Sequence, residues 1–262
     1  MPNQHRHRKR FGQNFLQDKN LLNKIARSIH PTPQDHIIEI GPGQGALTQY
    51  IIDNVASLDV IEIDRDLVAY LKQHFSQKHL TIHEADVLAF DFSTLLKKNH
   101  PVRIIGNLPY NISTPIIFKL LQHTQHIKDM TFLLQREMVL RMAASPGNKQ
   151  YGRLSVMTQY YCQTQRMIDV PATAFFPPPK VESCTVQLTP YSTLPHQAND
   201  MNHFENIVRA AFSSRRKTIH NGLKKIIDTH QLPQINIPMS SRAEELTVAQ
   251  FVQISNEIPM LE

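Results

Sequence analysis

Residues 38–46 read Ile38-Glu39-Ile40-Gly41-Pro42-Gly43-Gln44-Gly45-Ala46, an apolar run that ends in glycines and passes into an amphipathic one. Glycine at such a strand-to-helix junction lets the backbone turn tightly and lets a ligand press against it. Nucleotide-binding α/β folds place an acidic residue about 20 positions further on, at the end of the second strand, where it holds ribose hydroxyls. Glu62 stands in that place. Gly41, Gly43 and Ala46 also satisfy the relaxed dinucleotide fingerprint, so this loop alone leaves NAD open.

Working outward, short apolar runs at 36–40, 58–63, 80–83, 102–106 and 130–134 alternate with amphipathic stretches at 46–52, 67–75 and 114–122. That alternation predicts a parallel sheet covered on both faces. Residues 1–17 form a basic arm, and Asp18 is placed to cap a helix whose Leu21, Leu22, Ile25 and Ile29 share a face, with Pro31 and Pro33 ending it. Past Gly152 come a helical stretch, a strand-like run to Val170, a proline-rich connection at 175–180 and a further strand-like run at 184–188. Proline and polar residues at 189–200 read as a linker. Beyond it Phe204, Ile207, Val208, Ala211 and Phe212 keep helical spacing as packing residues, and Thr247 to Gln250 form a capping box. The expected organisation is a basic arm at 1–17, an α/β Rossmann-like domain at 18–190 and a small all-α domain at 191–262.

The chain has 262 residues, 41 % of them hydrophobic, enough for a packed core. Its 28 Lys and Arg against 22 Asp and Glu give a formal charge of +6, which suits a polyanionic partner. Two isolated cysteines, Cys162 and Cys184, offer no zinc spacing, and the 14 histidines follow no metal-binding pattern. No metal is expected. Neither a signal-peptide stretch nor a bilayer-spanning run is present in the sequence, so the expectation is a soluble, cytoplasmic monomer without membrane contact.

Two features shift the cofactor expectation from NAD to S-adenosylmethionine. Glu39, two residues before the first glycine, suits a cationic ligand better than a pyrophosphate. Asp86, after the third strand, is placed to take an adenine amino group. The strongest chemical signal follows the fourth strand, at Gly106-Asn107-Leu108-Pro109-Tyr110. An exocyclic adenine amine is a poor nucleophile because its lone pair is delocalised into the ring. Accepting both of its hydrogens favours a pyramidal nitrogen with the lone pair free. The Asn107 side-chain oxygen and the Leu108 carbonyl are the expected acceptors, Pro109 fixes the backbone so that this carbonyl points outward, and Tyr110 offers a ring on which a base can stack. Orientation then supplies most of the catalysis, with no dedicated general base.

Asn107-Leu108-Pro109-Tyr110-Asn111-Ile112-Ser113, with 11–16 (Phe-Gly-Gln-Asn-Phe-Leu) and 39–48 (Glu-Ile-Gly-Pro-Gly-Gln-Gly-Ala-Leu-Thr), resembles the ribosomal RNA adenine dimethyltransferases of KsgA/RsmA type. The likeness runs on through 175–181, 212–218 and 242–246, covering essentially the whole chain. It implies a class I S-adenosylmethionine-dependent methyltransferase fold. It also implies dimethylation of two adjacent adenosines in a hairpin loop near the 3′ end of 16S rRNA, in a pre-assembled small (30S) subunit, as a step of ribosome biogenesis. By motif, the resemblance implies that Asn14, Leu16, Gly41, Gly43, Glu62, Asp86 and Asn107 hold the cofactor. Phe175 would stack on the adenine face opposite Tyr110, a pairing that leaves room for a second methyl transfer. DNA amino-methyltransferases carry an acid and a second proline in this loop, which Asn107 and Leu108 do not match.

Arg8, Lys9 and Arg10, with Arg215, Arg216 and Lys217, are the expected rRNA contacts. Three rival readings remain. Macrolide-resistance methylases act on large-subunit RNA through a similar loop, but Pro115 and residues 215–218 favour the small subunit. A non-catalytic assembly factor is countered by the intact loops at 41–45 and 107–110. An NAD dehydrogenase is the third.

Overall fold

The structure, a computed structural model, describes residues 14–76, 78–96, 100–213 and 217–261. Contacts divide the chain into two units, residues 1–139 with 165–190 and residues 140–164 with 191–262.

The first unit is built on strands β2 (His36–Ile40), β3 (Ser57–Glu62), β4 (Leu80–Glu84), β5 (Val102–Asn107) and β6 (Ile127–Gln135). They lie in the order β4-β3-β2-β5-β6 and all run parallel. Ile37, Ile38, Ile40, Val60, Ile104 and Ile105 are buried, as central parallel strands require when both faces are covered. The sheet is not wholly parallel, however. β9 (Ser183–Pro190) pairs antiparallel with β6, and β7 (Cys162–Val170) completes that edge. The chain order reverses between β2 and β5, which opens a crevice at the carboxyl ends of the strands.

Helix α1 (Lys19–Ile29) begins where the Asp18 carboxylate accepts the Asn20 and Leu21 N–H groups. Leu22, Ile25, Ala26 and Ile29 bury one face, and His30 leaves the helix at a left-handed φ of 50°. Arg103 on β5 reaches this end. Its guanidinium donates to the Ile29 and His30 carbonyls at 2.5 and 3.0 Å, to Asp35 at 3.0 Å and to Asp129 at 3.0 Å. Helices α2 (Thr48–Ile51), α3 (Arg65–His74) and α4 (Ser113–Leu121) follow β2, β3 and β5, and α5 (Arg136–Met142) follows β6. A separate ribbon pairs β1 (Phe15–Leu16) with β8 (Phe175–Phe176), in register Phe15 to Phe176 and Leu16 to Phe175.

The second unit holds α6 (Arg153–Tyr161), α7 (Met201–Ala211), α8 (Ile219–Leu223) and α9 (Val248–Glu257). Thr247 and Gln250 form the capping box ahead of α9. The expected domain division at 190 needs correction, because residues 140–164 also belong to this unit. Packing supplies the reason. Tyr160 lies against Phe204 with ring centroids 4.6 Å apart, Tyr151 against Phe212 at 6.2 Å, and the Gly147 N–H donates to the Glu244 carbonyl at 2.7 Å. Among the described residues no helix is long and apolar enough to cross a membrane.

Candidate active site

A cavity of about 260 Å³ opens at the carboxyl ends of β2 to β5. The glycine loop forms its floor, with Gly41, Gly43 and Gly45 at φ values of 66°, 60° and 76°. Gly43 has a further requirement: a Cβ there would lie 2.8 Å from the Phe15 ring, itself part of the lining. Gly106, beneath the next loop, is packed just as closely, with Ile40 backbone oxygen 2.5 Å from where its Cβ would sit.

Three N–H groups of the glycine loop are already used. Gly41 donates to the Ile61 carbonyl at 2.9 Å, Gly43 to the Glu62 carboxylate at 3.2 Å, and Gly45 to the Pro42 carbonyl at 2.9 Å. Glu62 also accepts the Ile63 and Asp64 N–H groups at 3.0 Å each. Burial nevertheless pushes the Glu62 carboxyl above its ordinary pKa, against those three donors. Glu39 is 2 % exposed and accepts the Thr48 hydroxyl at 2.6 Å. Desolvation raises its pKa to about 7, with the Glu62 charge adding to the rise. Asp86, after β4, accepts the Leu88 N–H at 2.9 Å. A floor of carboxylates with the N–H groups of Gly41, Gly43 and Gly45 spent internally, followed by a helix of only four residues, suits a pyrophosphate poorly. It accommodates a ligand with hydroxyls and a positive centre.

The loop after β5 borders the same cavity through Asn107, Leu108, Pro109 and Tyr110. The Asn107 amide nitrogen donates to the Asn14 carbonyl at 3.1 Å. A carbonyl only accepts, so this bond settles which way the carboxamide is turned and leaves Oδ1 as the end for an incoming donor. Leu108 is buried, and its N–H donates to the Leu133 carbonyl at 3.2 Å. The Tyr110 hydroxyl shares a 2.6 Å hydrogen bond with Ser183, which pins the ring, and burial raises its pKa. Ile112 N–H and Ser113 hydroxyl bond to the Pro109 and Tyr110 carbonyls, holding the loop onto α4.

A family model described as Ribosomal RNA adenine dimethylase matches residues 4–259. The chain belongs to the ribosomal RNA adenine dimethylase family. A Pseudomonas syringae pv. tomato protein named ribosomal RNA small subunit methyltransferase A is 49 % identical over 256 residues, spanning 97 % of this chain and 96 % of that protein. The protein of the same name from Pseudomonas aeruginosa is 46 % identical, with 98 % and 97 % covered. Among solved structures, a dimethyladenosine transferase from Plasmodium falciparum superposes with a TM-score of 0.74 at 24 % identity, covering 92 % of this chain and 95 % of that one. The 23S rRNA methyltransferase ErmE superposes with a TM-score of 0.69 at 22 % identity, covering 92 % and 98 %. At these identities both structures speak to the fold, a Rossmann-like methyltransferase architecture.

As a ribosomal RNA adenine dimethylase the chain is a transferase, and its cavity gathers most residues singled out in the sequence. Asn14, Leu16, Gly41, Gly43, Glu62, Asp86, Asn107, Leu108, Pro109 and Tyr110 all line it. Phe175 is not among the lining residues. It is 4 % exposed and packs in the core with Leu16, its ribbon partner, while Phe176 is 52 % exposed beside Phe15. Arg8, Lys9, Arg10, Arg215 and Arg216 lie outside the described residues, and Lys217 is exposed. Thr131 on β6 was not anticipated. Its hydroxyl is buried at the cavity without a hydrogen-bond partner. In sequence it is one more residue of an apolar strand; only its register opposite Ile105 places it on this face.

Proposed function

We propose that this dimethylase methylates, twice each, the N6 amines of two adjacent adenosines in a hairpin loop near the 3′ end of 16S rRNA. The substrate is the pre-assembled small (30S) subunit, the setting is ribosome biogenesis in the cytoplasm, and the enzyme acts as a monomer. The small-subunit target rests on the names of relatives 46 % to 49 % identical over nearly the whole chain. The chemistry rests on one observation above all, the Asn107 amide nitrogen bonded to the Asn14 carbonyl, which leaves the carboxamide oxygen to accept from a substrate amine.

S-adenosylmethionine supplies, when bound, a methyl group on a sulfonium that departs as a neutral thioether. The cavity fits such a group through its buried carboxylates, its internally paired glycine loop and the orphaned Thr131 hydroxyl. In this reading Glu62 receives ribose hydroxyls and Asp86 an adenine amino group. Asn14, Leu16, Gly41, Gly43 and Asn107 complete the cofactor wall. The Asn107 oxygen and the Leu108 carbonyl accept the two N6 hydrogens of the target base. That drains the amine's conjugation and turns its lone pair outward. Pro109 holds the peptide and Tyr110 provides the stacking face. Arg8, Lys9, Arg10, Arg215, Arg216 and Lys217 neutralise rRNA phosphates. No residue need act as general base, because the proton is lost to water after transfer. The chemistry calls for no metal.

The test is incubation of the protein with labelled methyl donor and a mixture of under-methylated small and large subunits, followed by nucleoside mass spectrometry of each RNA. Dimethyladenosine at two neighbouring positions is expected. Label confined to large-subunit RNA, or none at all, overturns the reading; the second result would leave an assembly factor that binds without reacting.

A further inference from the structure

A second cavity, of about 350 Å³, lies wholly within the unit formed by residues 140–164 and 191–262. It shares no lining residue with the active site. Its polar equipment is small and specific. The Gln159 amide nitrogen donates to the Met142 and Ala144 carbonyls, both at 2.8 Å. Those bonds consume the donor end of the carboxamide and leave Oε1 as a fixed acceptor. The Thr164 hydroxyl is buried with no hydrogen-bond partner. A native fold seldom leaves such a group unmatched without a use for it. Tyr191, 37 % exposed, adds an aromatic ring, and Pro195 and Val248 add apolar wall.

The lining is also electrically neutral in character. Among the described residues no Asp, Glu, Lys or Arg lines it. Cys162 is buried and its thiol is pushed up to about 12, so it carries no charge. A phosphate would find no ammonium or guanidinium here, and an amine no carboxylate. A planar, uncharged heterocycle finds a ring to stack on, one fixed acceptor, and a hydroxyl able to donate or accept. That is the chemistry of a nucleobase.

We infer that this cavity is a second nucleobase-binding site, taking one unstacked base of the RNA substrate other than the methylated adenosines. The inference rests on the reading of the chain as an enzyme of small-subunit RNA for the source of the base. The free nucleoside is the other possible source, with the same recognition chemistry. Such a site would add affinity and register for the folded RNA without touching the reacting atoms.

Thr164→Val and Tyr191→Ala test it. The hydroxyl has no partner to lose, so Thr164→Val should melt at the same temperature as the parent or higher. Both variants should bind small subunits about tenfold more weakly, the scale of one lost base stack or its hydrogen bonds. KM should rise by the same factor, and kcat at saturating subunits should stay within about twofold. Tyr191→Phe, which keeps the ring, should bind like the parent. In parallel, adenosine is titrated by NMR against parent and variants. Unchanged subunit binding in both variants overturns the RNA-borne base, and if adenosine shifts are then lost in the variants the site belongs to free nucleosides. A parent that binds subunits but transfers no methyl groups would refute the proposed reaction. The binding comparison would still decide the pocket.

Discussion

Asn107 and Glu39 show how single side chains here are set by what surrounds them. Glu39 has its carboxyl raised by burial from 4.5 to about 7. A folded state that holds this proton more tightly than the unfolded chain is favoured most below pH 4.5, and loses that advantage as pH rises to about 7. Glu39→Gln keeps an oxygen for Thr48 and removes the titration. Relative to the parent, the variant should therefore gain stability across that window, approaching about 3 kcal/mol. Urea denaturation of ligand-free protein near each end of the window measures it, and a difference independent of pH would contradict it. At Gly43, a methyl group meets both an unfavourable φ of 60° and the Phe15 ring. Gly43→Ala should lower the affinity for S-adenosylhomocysteine by at least about tenfold, read by calorimetry. The glycines, Glu62 and the loop at 107–110 were legible in sequence because their spacing is local. The surroundings of Phe175 were not legible, for the opposite reason. That Phe175 is buried and Phe176 exposed depends on the register of a two-residue ribbon with the distant Phe15 and Leu16, and a slip of one residue exchanges them.

Among the secondary-structure elements, those with internal apolar periodicity were legible and those defined by a distant partner were not. The apolar run at 36–40 is a central strand, since parallel strands covered on both faces need no alternation. The antiparallel placement of β9 and the pairing of β1 with β8 are long-range facts with no local signature. Arg103 is similar: within an apolar strand it looks anomalous, yet it ties the carboxyl end of α1 to Asp35 and Asp129. Arg103→Met would leave two carboxylates at that buried junction without the guanidinium they share. Losing one member of a buried ionic network typically costs about 3 to 5 kcal/mol, and the variant should be destabilised on that scale in urea titrations. A change under about 1 kcal/mol would mean that Lys128, which also bonds Asp35 at 3.0 Å, compensates.

Across the whole molecule, the chain passes between its two units more than once, which a single linker at 189–200 could not convey. Residues 140–164 look in sequence like a continuation of the α/β alternation; their aromatic side chains, Tyr151 and Tyr160, are what assign them to the helical unit. A formal charge of +6 makes salt dependence the natural probe of RNA contact. Replacing Arg215, Arg216 and Lys217 by alanine should weaken small-subunit binding and reduce the slope of log affinity against log salt by up to about 3. An unchanged slope would remove this cluster from the interface. The proposed catalysis depends on a carboxamide oxygen that accepts a hydrogen bond from the target amine. Its most direct test is single-turnover methyl transfer by Asn107→Ala with cofactor and small subunits saturating. A rate at least about a hundredfold below the parent, in a protein that still folds and binds subunits, is the predicted result. A rate within about threefold of the parent would contradict it.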